Sequence, residues 1–247
     1  KRQQKTARNK PDHQPATEPL CINRPDCSGA SGLLYYIKRR GQRMLWVGLG
    51  NPGRSYAGNR HNVGFMALDR IVRDYSFSDW KVNTSSAVSE GRIGPVKIRA
   101  LKPLSFMNKS GLPVANVASY YNLHPDQITV FHDEIDLGEG RCRVKKGGGH
   151  GGHNGLRDID RHMGKEYWRV RIGVGRPAQK NDVHKWVLQN FTAAEHQSWL
   201  DGLLTAVSDE AERLATGDPQ GFASRVAYLS PAPHNNDGPD YDKTDEG

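Results

Sequence analysis

The chain has 247 residues, 36% of them hydrophobic, with a formal charge of +8 and three cysteines. That length can bury one full core with an appendage, and without an apolar run of about 18 residues no membrane-spanning helix is expected. Cys21, Cys27 and Cys142 are too few and too uneven for a disulfide framework, and Cys21 and Cys27 lack a neighbouring Cys or His pair for a zinc site; this fits a reducing compartment such as the cytoplasm, with no metal.

The charge is unevenly spread. Residues 1–43 hold ten Lys/Arg against three Asp/Glu, with Pro11, Pro15, Pro19 and Pro25 and few apolar side chains. The segment reads as a disordered basic extension. Its Arg-rich, acid-poor composition also fits a transit peptide, which would put the protein in an organelle matrix. At Met44 the composition breaks abruptly, and one compact domain over 44–229 is expected to start there. Its modest positive excess suits an acidic partner such as nucleic acid. From Ser230 the chain carries Lys243 against Asp237, Asp240, Asp242, Asp245 and Glu246, and reads as a loose acidic tail.

Leu45-Trp46-Val47-Gly48-Leu49 predicts a strand over 44–49. The next six residues, Gly48-Leu49-Gly50-Asn51-Pro52-Gly53, are spelled like a dinucleotide loop. Asn51 and Pro52, however, stand where a helix should begin, and Asp69 and Asp74 fall inside the following helix instead of at a second strand's end. The motif therefore reads as a tight turn presenting Asn51. A helix is expected over 62–75, with Val63, Phe65, Leu68, Ile71 and Val72 toward the core. His61 directly precedes it. The positive helix end is expected to lower its pKa and keep it neutral, fit for general-base work; the plain alternative is a capping or surface histidine.

Runs at 86–91 and 95–101 predict a hairpin, so the sheet should be mixed. The loop from Lys102 through Phe106, Met107 and Asn108 leads to a helix over 110–122, with Ser110 as N-cap. Asn108 either presents its amide to a ligand or serves the turn. A strand over 127–132 ends in His132-Asp133-Glu134. A carboxylate at a strand end lies where active sites of α/β sheets collect. Asp133 can accept from the far nitrogen of His61 and orient its ring, as the third member of a triad does; the alternative is a solvated acidic turn. Another strand, over 140–145, leads into Lys145-Lys146 and the run Gly147–Gly155, which contains His150, His153 and Asn154. So much glycine cannot be core. It either lets main-chain amides approach an anionic or extended ligand or forms a flexible linker. Beyond it come a helix over 154–163 and a strand over 167–174, whose period places Arg169 and Arg171 on one face, for phosphate or for solvent. Lys180 sits in a polar loop that suits a flap. Helices over 181–190 and 192–216 follow, the second opening on a Thr192/Glu195 capping box.

The alternation predicts a single α/β domain with a mixed, mostly parallel central sheet flanked by helices. No serine or cysteine nucleophile motif is present, and the histidines at 132–153 match no standard metal spacing.

Six blocks in order carry a resemblance: Gly48-Leu-Gly-Asn-Pro-Gly53, Asn59-Arg-His-Asn-Val-Gly64, Lys102-Pro-x-Ser-Phe-Met-Asn108-x-Ser-Gly111, His132-Asp-Glu-x-Asp-Leu137, Gly147-Gly-Gly-His-Gly-Gly-His-Asn-Gly-Leu156 and Arg169-x-Arg-Ile-Gly-x-Gly175, closed by Lys180-Asn181. Over about 44–229 the chain resembles the bacterial-type peptidyl-tRNA hydrolases. The resemblance implies a monomeric α/β globule, without a cofactor, that cleaves the ester joining a peptide to the 3′ ribose of tRNA. By position, it implies that His61 is the general base, Asp133 its supporting carboxylate, and Asn51 the residue that helps tell a blocked peptidyl end from a free aminoacyl end. It implies that Tyr56, Phe106, Met107, Asn108 and Asn154 line the substrate's end, that Lys145 and Arg171 hold tRNA phosphate, and that Lys180 lies in a lid segment. A noncatalytic RNA-binding or splicing partner on the same fold is the alternative. The basic extension has no counterpart in compact members of the family.

Overall fold

The computed structural model describes residues 43–233; the expected basic extension, Arg43 apart, and the acidic tail beyond Pro233 lie outside the described residues. Seven strands form one sheet: β1 (Arg43–Gly48), β2 (Lys81–Val82), β3 (Ser86–Ile93), β4 (Val96–Pro103), β5 (Ile128–Glu134), β6 (Cys142–Lys146) and β7 (Trp168–Gly173). Their order across the sheet is β2-β3-β4-β1-β5-β7-β6. β1 pairs in parallel with β4 and β5, and β5 with β7. The three remaining pairings are antiparallel, so five of the seven strands share one direction. The expected hairpin is β3–β4. Two-residue β2, bordering it, is too short to register in an apolar-pattern reading.

Met44 through Val47 are all buried. A strand covered on both faces needs such an unbroken apolar run. The covering helices are α1 (Val63–Asp74), α2 (Gly111–Tyr120), α3 (Asn154–Met163), α4 (Val183–Val187), α5 (Ala193–Glu195), α6 (Asp201–Asp209), α7 (Ala211–Thr216) and α8 (Pro219–Leu229). On one face Trp46, Phe131 and Ile172 pack with Leu68 and Ile71 of α1, Val207 of α6 and Phe222 of α8. On the other, Val47, Leu101 and Val130 pack with Val114 of α2 and Ile159 of α3. The strand order turns back about β1, which has β4 on one side and β5 on the other. Loops leaving the carboxyl ends of those strands therefore diverge and leave a crevice between them.

Several elements differ from the sequence expectation. The 62–75 helix is preceded by a 3-10 turn over Arg60–Asn62 that carries His61. The 181–190 helix shrinks to α4. The 192–216 helix is broken into α5, a π-helical turn over His196–Leu200, α6 and α7. Its capping box does form: Thr192 Oγ1 accepts from the Glu195 amide at 3.1 Å and Glu195 Oε2 from the Thr192 amide at 2.8 Å. Gly217, at φ +92°, ends α7, and Asp218 then caps α8 through the Gly221 amide, with Pro219 in the first turn. That stop-and-start signal is local, and an apolar stripe does not reveal it. Ser110 is not a side-chain cap. Its hydroxyl donates to the Met107 carbonyl, and Asp158 of α3 instead accepts from the Gly111 amide at 2.7 Å. Ser230, expected in the tail, is buried at the end of α8.

Candidate active site

Two glycines set how closely α1 can lie on the sheet. A methyl added at Gly64 would sit 2.2 Å from the Phe131 carbonyl oxygen and 2.7 Å from the Leu49 nitrogen, and one at Gly48 would sit 2.5 Å from the Gly64 carbonyl oxygen. With no Cβ at either position, the start of α1 rests directly on the ends of β1 and β5. The turn before α1 then places His61 above Asp133.

His61 Nδ1 lies 2.8 Å from Asp133 Oδ1, and His153 Nε2 lies 2.9 Å from the same oxygen. Nδ1 of His153 accepts from the Gly155 and Leu156 amides as the N-cap of α3, so its proton sits on Nε2, facing the carboxylate. All three side chains are largely withdrawn from solvent. Burial alone would raise the Asp133 carboxyl, but the adjoining His61 and His153 outweigh it and hold the group well below the usual carboxylate range. Burial likewise pushes His61 down. The Asp133 charge and hydrogen bond overcome that, and the net direction is upward. This corrects the expectation that the helix end lowers the His61 pKa: a charge in hydrogen-bonding contact exceeds a helix-end dipole. Nε2 of His61 has no hydrogen-bond partner among the described residues.

His132 plays a different part. Its Nδ1 donates to the Asp133 carbonyl at 2.7 Å, and burial, helped by His153, pushes it down to about 3, so it is a neutral core histidine. The ligand-type atoms of His61, Asp133 and His153 all lie within 4.8 Å of one another. Both imidazoles turn N–H toward one oxygen, so a cation there would have to displace both protons.

Asn51, buried after β1, extends the cluster. Its Oδ1 accepts from the Met107 amide at 2.8 Å, and its backbone exchanges two hydrogen bonds with the Asn62 side chain, each 2.9 Å. With its oxygen turned to the Met107 amide, Asn51 keeps its N–H groups to offer a ligand. Met107 is buried beside Gly155, where an added methyl would sit 2.6 Å from its sulfur. Asn108 and Asn154 are exposed next to Met107 and His153, and Asn154 Oδ1 accepts from Arg157 at 3.2 Å, leaving its N–H free to donate. The half-buried Tyr56 ring meets the exposed Phe106 ring edge-on at 6.5 Å.

The basic residues divide. Arg169 does not face a ligand. It is fully buried, ion-paired with Asp160 at 3.0 Å, stacked at 4.6 Å on Tyr167, and bonded to the Gly149 carbonyl at 2.6 Å. A strand period assigns a face, but α3 and the glycine run cover that face here. Arg171, one pleat further, pairs with Glu134 at 3.0 Å and keeps part of its surface. Lys145, half-buried opposite Arg169 in the β6–β7 ladder, makes no ion pair among the described residues. Lys180 opens a short 3-10 turn ahead of α4. Sequence reasoning passed over His153, which the glycine run displays but whose partner lies 20 positions away.

A family model described as peptidyl-tRNA hydrolase matches residues 45–233. The peptidyl-tRNA hydrolases of Rhodospirillum centenum and Acidiphilium cryptum are each 52% identical to the chain, over 76% and 75% of its length and 83% and 97% of theirs. The crystal structure of peptidyl-tRNA hydrolase from Acinetobacter baumannii shares 37% identity and superposes with a TM-score of 0.72, over 76% of this chain and 96% of that one. The chain belongs to the peptidyl-tRNA hydrolase family.

Proposed function

We propose that this protein hydrolyses the ester between the peptide and the tRNA of peptidyl-tRNA, with a water activated by His61. One observation carries the mechanism: His61 Nδ1 is bound to Asp133 while Nε2 is left unpartnered by the described residues. Nε2 takes a proton from water as its oxygen attacks the ester carbonyl carbon. The Asp133 carboxylate stabilises the imidazolium that results. The carbonyl oxygen gathers negative charge, and the N–H groups of Asn108 and Asn154 donate to it. Collapse of the tetrahedral intermediate breaks the bond to the ribose oxygen, and the imidazolium returns the proton to that leaving group.

Asn51 offers N–H to a peptide carbonyl, an acceptor that an unblocked α-ammonium group does not supply, and this gives selectivity for peptidyl over aminoacyl ends. Tyr56, Phe106 and Met107 bound the substrate's terminal nucleotide and peptide, Lys145 and Arg171 meet phosphate, and the Lys180 segment closes over them. The protein acts as a monomer, without a cofactor, where translation takes place, in the cytoplasm or in an organelle matrix if residues 1–43 direct it there. No helix among the described residues is long and apolar enough to cross a membrane.

The test is release of N-acetyl-aminoacyl ends from tRNA by the wild type and by His61→Ala. A loss of at least about 10²-fold in kcat is expected. Equal turnover by both proteins removes His61 as the base.

A further inference from the structure

Arg60, the residue before His61, is almost fully buried, yet it touches none of the groups assigned to catalysis. Its Nη2 meets Glu195 Oε1 at 2.6 Å, and its Nη1 donates to the Asn190 carbonyl at 3.1 Å. The guanidinium lies 3.9 Å from the Trp186 ring centroid and 5.4 Å from that of Phe191. Trp186 is anchored in turn, its Nε1 donating to the Gly175 carbonyl at 3.0 Å just past β7. Glu195 Oε2 is committed to Thr192, so one carboxylate both caps α5 and receives Arg60.

The backbone of the His61 turn is held by the same segment. The Arg60 amide donates to the Gln189 carbonyl at 2.9 Å, the Phe191 amide to the Gly58 carbonyl at 2.8 Å, and Asn59 Nδ2 to the Leu188 carbonyl and to Asn190 Oδ1. A three-residue 3-10 turn has little rigidity of its own. Its placement therefore depends on what it is tied to, and on this side the ties run to residues 186–195. A flat guanidinium stacked on Trp186, with directed bonds to a carboxylate and a carbonyl, fixes position better than a flexible ammonium would.

We propose that Arg60 is a positioning residue for hydrolysis: through Glu195, Asn190 and Trp186 it locks the turn that holds His61 on Asp133, and it ties the chain beyond Lys180 to the base. The proposal rests on His61 being the base.

The test is steady-state hydrolysis of N-acetyl-aminoacyl-tRNA across pH by Arg60→Met, Arg60→Lys and Glu195→Ala, beside the wild type. In Arg60→Met, kcat is expected to fall about tenfold or more while KM changes by less than about twofold, since small misplacement of a base costs rate and not binding. The acid limb of kcat moves to lower pH, because a His61 loosened from Asp133 loses what raises it. Glu195→Ala gives the same signature from 135 positions away. Arg60→Lys, which keeps the ion pair but not the stack, falls between. Wild-type kcat and an unmoved acid limb in Arg60→Met overturn the proposal. Should Arg60→Met fail to fold, Glu195→Ala decides by the same readouts, and a loss that follows only the folded fraction with an unmoved limb overturns it as well. A wild type without turnover would instead sink the hydrolase reading itself.

Discussion

Asp133 answers two imidazoles with one oxygen, and its contact with His61 sets how activity and stability depend on pH. The His61 pKa is raised above 6.5, so the base is free only above that value and kcat rises through it with increasing pH. Stability runs the other way for this residue. A raised folded value means that the His61 contribution is fully present below about 6.5 and is lost as pH climbs through the folded value. The Asp133 carboxyl is depressed, so its contribution is present above 3.8 and is lost only as pH falls through its lower folded value. The pair therefore stabilises most between those limits, whereas turnover is favoured above them. Asp133→Asn removes the cause that raises His61 and leaves burial, which lowers it. We expect the acid limb to move below 6.5 and kcat to drop by about 10²-fold or more, read from a pH profile of single-turnover hydrolysis. A limb that stays where it is would show that Asp133 does not tune the base.

At the scale of elements, the contact of α1 with the ends of β1 and β5 decides whether the cluster can assemble. Alanine in a helix is worth about 0.5–1 kcal/mol over glycine, so Gly64→Ala ought to stabilise if propensity ruled. The added methyl instead meets backbone at 2.2 Å, and backbone cannot step aside as a side chain can. Overpacking of this kind costs about 1–3 kcal/mol. We expect net destabilisation in urea titrations, together with reduced kcat because the helix that follows His61 is lifted from Asp133. A more stable Gly64→Ala protein would mean that α1 has room to move off the Phe131 carbonyl. The same logic explains Arg169. Buried beneath the glycine run and fixed by Asp160, it holds Gly149 and so helps place the run that carries His153.

For the whole molecule, the question is how a chain with a net charge of +8 meets a polyanion. Each phosphate contact by Lys or Arg releases counterions, so deleting one lowers the salt slope of tRNA binding by about 1. Lys145 has no acidic competitor among the described residues, whereas Arg171 must share its guanidinium with Glu134 at 3.0 Å. We expect Lys145→Ala to flatten the salt dependence by about one unit and Arg171→Ala by less, measured as Kd against salt concentration. Unchanged slopes in both would move the phosphate site elsewhere on the surface.

Local signals were sufficient for the alternation of strands and helices, the β3–β4 hairpin and the Thr192 capping box, because each depends on residues within a few positions. Motif order was sufficient for the family, and it singled out His61 and Asp133, which the fold brings to 2.8 Å of each other. Pairings across long separations were decided only by the folded chain. His153 shares Asp133, Asp158 takes the cap expected of Ser110, Arg169 turns inward, and Arg60 reaches Glu195 across 135 positions. The direction of the His61 shift belongs with these: a sequence shows the helix end beside the imidazole, but burial and a carboxylate at 2.8 Å exist only once β5 and α1 have packed. Short-range chemistry is written along the backbone, while burial and electrostatics depend on which distant groups share a space from which water has been driven.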